Sequence, residues 1–350
     1  MILITLRDMQ WRARRVILGL AATALVLAMT SLLGALHDGF LRETDRTIAF
    51  FGADRWLVAS QVAGPFTSNT PVRTSLVGEV ERDSGVRDVT PVAIFRHVVR
   101  GVGDGFTDVN VIGYQPGGVV VPHPVVGRTP QRVGEAMVDE RIDVPVGTPL
   151  RLAGRALTVV GKVSGLTYNG GTPTVVVTLR EAQAVAFDGR PLASALVVTG
   201  VPGAGVPGLN TMTSVQVRDD LRRPLSVATS ALGLVAALLW VVAAGIVAMM
   251  AYLSGLDRYR DFAVFKALGA TTRRLLLGVV LQGAVVGLLA SSVAVSLAFA
   301  LEPLFPIDID LTGADAVALV AVALVVGVVA AVVSLRGPVR VDPAEAFANA

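Results

Sequence analysis

The sequence contains no cysteine, only two lysines and three widely separated histidines, His37, His97 and His123. The missing thiols exclude a disulfide framework, a cysteine metal site and thiol catalysis. Neither an HExxH nor a GxSxG motif is present, so those two classes of hydrolase are not predicted. The phosphate-binding pattern GxxxxGK[ST] is missing as well, which excludes ATP binding by that route. We therefore predict a chain without catalytic, cofactor-binding or metal-binding residues of its own.

Charged residues are missing from four long stretches of the chain, which are residues 16–36, 224–256, 275–301 and 316–335. Each stretch reaches the length of about 20 residues that a helix needs to cross a bilayer. A hydrophobic content of 53% and a mean hydropathy of +0.65 also lie outside the range of ordinary soluble domains. We predict four transmembrane helices, at 16–36, 225–256, 275–301 and 316–335. Their lack of charge disfavours an ion or proton pathway, and hence a secondary transporter.

The connecting segments predict which side of the membrane each one occupies. Residues 1–15 carry four arginines and one acidic residue, and residues 257–274 carry five basic and two acidic residues. By the positive-inside rule both segments are cytoplasmic, as is the tail 336–350, whereas the acidic loop 302–315 is outside. The first apolar run is longer than the core of a signal peptide, so we interpret it as an uncleaved helix. The basic residues follow the membrane sides and form no patch for nucleic acid.

Residues 37–223 differ in composition, with 19 basic and 18 acidic residues, frequent Gly and Pro, and no long apolar run. This is long enough for an independent domain with its own core, and it lies outside if the preceding helix starts inside. Short valine-rich segments between turn residues predict strands. The strands are predicted at 55–60, 92–100, 108–114, 136–139, 150–153, 156–163, 174–179 and 195–199. Helices are predicted at 72–84 and 179–187, and a further one at 38–51 continues the first transmembrane helix. The fold class is therefore a membrane protein with four transmembrane α-helices and an α+β extracytoplasmic domain between helices 1 and 2.

The most informative stretch of the chain is the segment 257–274. With the preceding Leu256 its sequence is LDRYRDFAVFKALGATTRR. It contains no Gly or Pro before Gly269, so about three turns of helix can form. Its apolar residues spread around the helix axis among the charges, whereas a helix lying on lipid separates its faces. Apolar anchors mixed with charges are typical of a docking element. The alternative is a solvated turn joining two helices, which three aromatics in about seven residues disfavour.

This segment resembles the cytoplasmic coupling helix of FtsX/MacB-type ABC transporter permeases. The matching positions are Asp261, Val264, Lys266, Ala267, Leu268, Gly269 and Ala270. The segment resembles the DevC-like branch more than FtsX proper in the residue types at Asp261, Phe262, Ala263 and Phe265. Residues 125–163 resemble the MacB-like core domain through Gly127-Arg128, Glu135, Gly147 and a Val-Val-Gly strand end, with Val138-Asp139 opening a helix-like segment. The tail Arg340-x-Asp342-Pro343-Ala344-Glu345-Ala346 resembles the usual end of FtsX-like permeases.

The resemblance implies a non-catalytic permease subunit in a bacterial cell membrane, with both termini cytoplasmic. It implies a separate ATPase that binds ATP and Mg²⁺, and a homodimer or a heterodimer of permeases. The ATPase-coupling residues would be Asp261, Phe262, Phe265, Lys266, Leu268, Gly269 and Ala270. ATP hydrolysis would move the external domain to export or extract a hydrophobic, lipid or peptide substrate. The alternatives are mechanotransmission to an extracytoplasmic enzyme, an importer permease for a small solute, and a membrane-anchored sensor without an ATPase.

Small residues in the last two transmembrane helices predict helix packing. Gly283 and Gly287 form a GxxxG spacing, and Ala323 and Gly327 follow a four-residue spacing on one face of the last helix. Between these helices, Asp308 and Asp310 resemble the first ligands of a calcium loop. The twelfth position is Leu319, where a bidentate Glu is required, so no calcium site is predicted.

Overall fold

A computed structural model describes residues 13–100, 106–203, 205–257, 271–301 and 313–334. These residues form two compact units. The membrane unit comprises the chain up to Asp38 and from Thr229 onward, and the inserted unit comprises Gly39–Ala228. The inserted unit therefore lies between the first and the second long apolar helix in the sequence.

The membrane unit is built from long apolar helices, because charge-free runs of this length satisfy their own backbone only as helices in lipid. These are α1 (Ala13–Phe50), α5 (Ser226–Asp257), α6 (Thr272–Leu301) and α7 (Gly313–Ser334). Each is long and apolar enough to cross a membrane. The last twelve residues of α1 belong to the inserted unit, as the predicted continuation of the first transmembrane helix requires.

Alanine occupies the centre of the helix bundle. Six of the eight buried residues of its hydrophobic cluster are alanines, and the other two are Leu27 and Leu319. The alanines come from all four helices, at positions 24, 28, 243, 290, 294 and 323. Lipid tails are as apolar as leucine, so close van der Waals contact between small side chains holds such helices together.

Helices α6 and α7 approach each other closely enough for backbone to meet backbone. A Cβ atom on Gly287 would stand 3.2 Å from the carbonyl oxygen of Ala323, and one on Gly327 would stand 3.1 Å from that of Gly283. The structure thus brings together the four small residues that the sequence predicted for packing. Backbone meets backbone at this crossing, which leaves no room for a larger side chain.

The inserted unit contains thirteen described strands and three described helices. The strands are β1 (Arg55–Ala59), β2 (Val72–Arg73), β3 (Val86–Arg100), β4 (Phe106–Tyr114), β5 (Val126–Gly127), β6 (Glu135–Asp139), β7 (Pro149–Leu152), β8 (Arg155–Val163), β9 (Thr167–Tyr168), β10 (Thr172–Thr178), β11 (Leu192–Ala193), β12 (Ala195–Gly200) and β13 (Leu209–Thr213). The helices are α2 (Val77–Val80), α3 (Leu179–Ala186) and α4 (Ser214–Arg222).

One mixed sheet organises this unit, in the order β13-β1-β12-β3-β4-β10-β6-β8-β5. Strands β4 and β10 are parallel, as are β6 and β8, and the other pairs of this path are antiparallel. Strand β3 is fifteen residues long, and it pairs with β12 through its first half and with β4 through its second. It therefore belongs to both halves of the sheet, and apolar side chains cover both faces.

An ion pair between Arg128 and Glu135 closes the loop after β5. In the sequence, these two residues were noted only as matches to the MacB-like core domain. Arg128 donates from both terminal nitrogens to the Glu135 carboxylate, at 2.8 and 2.6 Å. The same carboxylate accepts the backbone N–H groups of Gln131 and Arg132. These donors, Arg128 first, lower the pKa of Glu135 to about 2.

The predicted strands are found with ends shifted by a few residues, but one predicted helix is wrong. Instead of a helix over 72–84, Val72 begins strand β2 opposite Ala193, and helical structure covers only Thr74–Val80. The side chain of Asp83 accepts from Gly85 N at 2.9 Å, which favours a turn over continued helix. The helix-like segment expected from Val138-Asp139 is likewise wrong, because both residues end the central strand β6.

The predicted fold class is confirmed, with an α+β domain between the first and second of four membrane-spanning helices. Residues 101–105 lie outside the described residues, and the strands that border them, β3 and β4, pair up to Arg100 opposite Phe106. The described residues also exclude 1–12, 302–312 and 335–350. The expectations for both termini and for Asp308 and Asp310 therefore stay predictions.

The α6–α7 crossing yields a test of helix packing. We expect Gly327→Leu to destabilise the membrane unit by about 1–3 kcal/mol, because the added side chain must displace the backbone of α6. Thermal unfolding of the chain in lipid nanodiscs measures the change. Gly245→Leu is the matched control, since no heavy atom lies within 4 Å of a Cβ at Gly245. Equal melting temperatures for the two variants would contradict close packing at Gly327.

Candidate functional site

The predicted ATPase-coupling residues Asp261, Phe262, Phe265, Lys266, Leu268, Gly269 and Ala270 all lie outside the described residues. The helices that border them are described: α5 ends at Asp257 and α6 begins at Thr272. Their role stays a prediction.

The candidate site within the described residues is the part of the inserted unit that holds the end of α1 and the helix α4. We call it the helix anchor. Its residues are Glu43, Asp45 and Thr47 near the end of α1, Phe51 directly after α1, and Val217, Arg218, Asp220 and Arg222 of α4. Helix α1 continues from a membrane-spanning segment, and α4 is followed, after one short turn at Arg223–Leu225, by the membrane-spanning α5.

Helix α1 is fixed by hydrogen bonds to a hairpin of the sheet. Glu43 Oε1 accepts from Gly171 N at 2.7 Å, and Thr47 Oγ1 donates to Thr167 O at 3.0 Å. The turn between β9 and β10 has φ of 58° at Asn169, 80° at Gly170 and 81° at Gly171. This left-handed backbone is open to Gly and tolerated by Asn, which explains the sequence Asn-Gly-Gly at this position. The turn presents the N–H of Gly171 to α1.

Aromatic packing holds Phe51, the residue that follows α1. Phe51 is fully buried, with its ring centroid 4.7 Å from that of Trp56 on β1. Phe66 lies 6.1 Å from Phe51 and 5.4 Å from Tyr168, in edge-on arrangements that aromatic pairs prefer. The end of α1 is therefore part of the main core of the inserted unit.

Helix α4 is fixed by a buried carboxylate. Asp220 has no exposed surface, and its side chain accepts from Phe66 N at 3.0 Å and from the hydroxyl of Thr67. Gly64 packs directly against the Asp220 side chain. Val217, one turn earlier on α4, is fully buried in the same core as Phe51. A capping box of Thr213 and Gln216 starts the helix.

An ion pair joins the two helices of the anchor directly. Asp45 Oδ1 of α1 lies 2.7 Å from Arg218 Nε and 3.4 Å from Arg222 Nη2 of α4. About half of the Asp45 side chain and a third of each arginine side chain are exposed (53%, 32% and 34%). One carboxylate shared by two guanidinium groups restricts sliding of one helix along the other, although solvent screening limits its strength.

Sequence reasoning missed the helix anchor. The predicted helix over 38–51 located Glu43, Asp45 and Thr47 correctly on the continuation of α1, but residues 214–222 were not predicted as a helix. A signal was present in the capping-box pattern Thr213-x-x-Gln216. The pairing of Asp45 with residues more than 170 positions later could not be read from one sequence.

The described residues contain no group of three or more His, Asp or Glu side chains that could hold a metal ion. The anchor instead consists of structural contacts: buried aromatics, carboxylates that accept backbone N–H groups, and an interhelical ion pair.

Comparison with known proteins identifies the class. Residues 233–343 match the family model described as FtsX-like permease C-terminal. A protein of Mycobacterium tuberculosis named as an ABC transporter permease is 39% identical over 347 residues, which is 99% of either chain, and a second one is 36% identical over the same share. The periplasmic region of MacB from Actinobacillus actinomycetemcomitans aligns with 51% of this chain and 97% of its own, at 13% identity and a TM-score of 0.38.

The family model and the two mycobacterial relatives define a multi-pass membrane protein of the permease class. The chain belongs to the FtsX-like family of ABC transporter permeases. The resemblance stated from the sequence is thereby confirmed.

The buried carboxylate of the helix anchor yields a second test. We expect Asp220→Ala to lower the free energy of unfolding of the inserted unit by about 2–4 kcal/mol, because Phe66 N and the Thr67 hydroxyl lose their acceptor. Asp219→Ala is the control, since the neighbouring Asp219 is exposed. Chemical unfolding followed by Trp56 fluorescence in nanodiscs measures both variants. A destabilisation no larger than that of the control would exclude a structural role for Asp220.

Proposed function

We propose that the chain is the membrane subunit of an ABC transport system in which ATP hydrolysis by a separate ATPase moves the inserted unit outside the membrane. The motion serves export or extraction of a hydrophobic, lipid or peptide substrate. The chain itself performs no chemistry, and ATP and Mg²⁺ are bound by the partner chain. Two permease chains, identical or similar, work together with two ATPase subunits.

The observation that carries the proposal is the helix anchor. Both helices that connect the inserted unit to the membrane end in its core, through Ile48 on α1 and Val217 on α4. A displacement of either helix relative to the sheet would break the hydrogen bonds that Glu43 and Asp220 accept from backbone N–H groups. A buried polar group left unpaired costs about 1–3 kcal/mol. Moving the inserted unit together with the helices therefore costs less free energy than breaking these contacts.

The segment between α5 and α6 supplies the other end of this pathway in the proposal. Phe262, Phe265 and Leu268 seat it in a groove of the ATPase, Asp261 and Lys266 make polar contacts, and Gly269 with Ala270 ends the helix. The five basic residues of 257–274 support a cytoplasmic location for this segment. The N-terminus and the tail are then cytoplasmic too, and the inserted unit is outside.

A hydrophobic cargo is supported by the make-up of the membrane unit. The buried hydrophobic cluster at the centre of its helix bundle consists of alanine and leucine, and the four predicted transmembrane runs contain no charged residue. The buried hydroxyls of Thr23, Thr30 and Ser291 donate to backbone carbonyls of their own helices, so they offer no polar pathway. A polar solute that crossed such a bundle would lose its hydration without compensation. Capture of an amphiphile at the outer surface needs no polar pathway.

The proposal predicts the effect of changing the coupling segment. We expect the double variant Phe265→Ala/Leu268→Ala to lose ATPase association and stimulation, because it removes the two largest apolar contacts proposed for the groove. The measurement is the activity of a cognate ATP-binding-cassette protein, co-purified with this chain in nanodiscs. Phe299→Ala/Leu289→Ala is the control, with the same side-chain losses on the exposed surface of α6. Undiminished stimulation of ATPase activity by the double variant would overturn the assignment of the segment.

The ion pair of the helix anchor predicts a separable effect. We expect Asp45→Lys to retain ATPase association and basal hydrolysis but to reduce ATP-dependent movement of the inserted unit, because a third cation beside Arg218 and Arg222 repels the two helices. Spin labels on cysteines introduced at Val121 and Leu256, both exposed, report the movement by electron paramagnetic resonance. The cysteine-free chain makes this labelling specific.

Asp188→Lys is the control for this variant, because it also breaks an exposed aspartate–arginine pair, with Arg190, away from the anchor. An unchanged ATP-dependent distance change in Asp45→Lys would show that the ion pair has no part in transmission.

A further inference from the structure

The turn between β9 and β10 contains a chemically reactive pair of residues. Asn169 is followed by Gly170, and none of the other four asparagines in the sequence precedes a glycine. Glycine has no Cβ, so its backbone nitrogen is open to the side chain of the preceding residue. Asn69, Asn110 and Asn210 precede Thr, Val and Thr, whose branched side chains crowd that nitrogen. Residue 169 is therefore better suited than these three to attack by the backbone nitrogen that follows it.

The side-chain amide of Asn169 is available for this attack. The residue is half-buried, in a left-handed backbone conformation with a φ of 58°. Its backbone carbonyl accepts from the Thr172 hydroxyl at 3.2 Å, whereas its side-chain amide makes no hydrogen bond within the described part of the chain. The amide can therefore rotate its carbon toward the nitrogen of Gly170.

The backbone of the same turn is held in place from the neighbouring strand. Asn110 on β4 donates from Nδ2 to the carbonyl of Tyr168 at 3.0 Å and to the carbonyl of Thr172 at 2.9 Å. One buried side chain thus connects the residues on either side of the turn. The position of the Gly170 nitrogen is fixed, while the Asn169 side chain stays free to move.

A carboxylate lies at the Gly170 nitrogen. Glu43 Oε1 accepts from Gly171 N at 2.7 Å, and the N–H of Gly170 faces the same carboxylate. Glu43 is only 6% exposed, so water competes little for it. A carboxylate within reach of an N–H group can act as a general base. Transfer of the Gly170 proton to Glu43 makes this nitrogen a nucleophile.

We propose that Asn169 is a self-modification site, at which Glu43 promotes attack of the Gly170 nitrogen on the side-chain amide carbon of Asn169. The bond between Gly170 N and Asn169 Cγ forms, the proton passes through Glu43 to the amide nitrogen, and ammonia leaves. Water then opens the resulting cyclic imide at either carbonyl carbon, which yields aspartate or isoaspartate. Both products add a carboxylate at this position, and isoaspartate also lengthens the backbone by one methylene.

The added charge weakens the helix anchor. It lies one residue from Gly170, near the buried Glu43, and like charges repel more strongly where water is excluded. The repulsion favours release of the Gly171 N–H from α1. All of these residues belong to the inserted unit, so the inference does not depend on the proposed function.

The test follows the full-length chain in lipid nanodiscs during incubation at neutral pH, without any ATPase. Trypsin releases Asn169 in the peptide 163–180 and Asn69 in the peptide 56–73. We expect mass spectrometry to show replacement of the amide by a carboxylate in 163–180, with its isoaspartate isomer, and an unchanged peptide 56–73. Retention of the amide at Asn169 to the same extent as at Asn69 would overturn the proposal.

A change of Glu43 tests the role of the base. Glu43→Gln keeps an oxygen acceptor for Gly171 N, and it should slow the conversion about tenfold or more because the base is lost. Glu79→Gln, at an exposed position on α2, is the matched control and should leave the rate unchanged. In urea both variants and the wild type should convert at one rate, since unfolding separates residue 43 from the turn. A folded Glu43→Gln chain that converts as fast as the wild type would exclude Glu43 as the base.

Amide hydrogen exchange of the peptide 163–180 measures the effect on the anchor. Asn169→Asp, which imitates one product, should exchange several-fold faster than the wild type, because Gly171 N is released from Glu43. Asn210→Asp, at an exposed position on β13, is the control. Glu43→Gln should exchange like the wild type, which distinguishes loss of the base from opening of the hairpin. Unchanged exchange in Asn169→Asp would contradict the weakening of the helix anchor.

Discussion

The burial of Phe51 against Trp56 determines how the inserted unit is connected to the membrane helices. Because the last residues of α1 are part of the core, the helix ends inside the unit, and no flexible linker follows it. Glu43 and Thr47 then align α1 on the β9–β10 hairpin, and Asp45 pairs with the helix that leads back to the membrane. The helix anchor thus restricts both connections at once. Both chain connections of the inserted unit are thus helical and packed against its own core, whereas a tethered domain is joined by flexible loops.

The parts of the fold that depend on composition were predictable. Runs without charge can only be helices in lipid, so α5, α6 and α7 begin and end within a few residues of the predicted positions. Valine-rich strands such as β8 and β10 were equally clear, because β-branched residues between turns favour extended structure. The resemblance of one charged segment to a coupling helix sufficed to indicate the family.

The helix anchor could not be predicted, for two physical reasons. Helix α4 is polar along most of its length and is stabilised by its capping box and by the buried contacts of Asp220, so hydrophobic periodicity gives little indication of it. The contacts themselves join residues about 130 to 180 positions apart, and tertiary packing alone brings these together. The wrong prediction of a helix at 72–84 has a related cause. Val72 pairs with Ala193, and local helix propensity gives no information about so distant a partner.

The placement of β1 has a consequence for how the protein is made. Arg55 pairs with Val198 on one side and Thr213 on the other, so the first strand of the inserted unit finds its neighbours only after nearly the whole unit has been synthesised. Pairing between such distant residues is slow, because a long loop must close first. Until then α1 stands in the membrane with Trp56 and Phe51 uncovered, and the emerging chain depends on its surroundings to prevent aggregation. Completion of the sheet coincides with arrival of α4 and α5, so folding of the unit and insertion of the second membrane helix belong to the same stage of biogenesis.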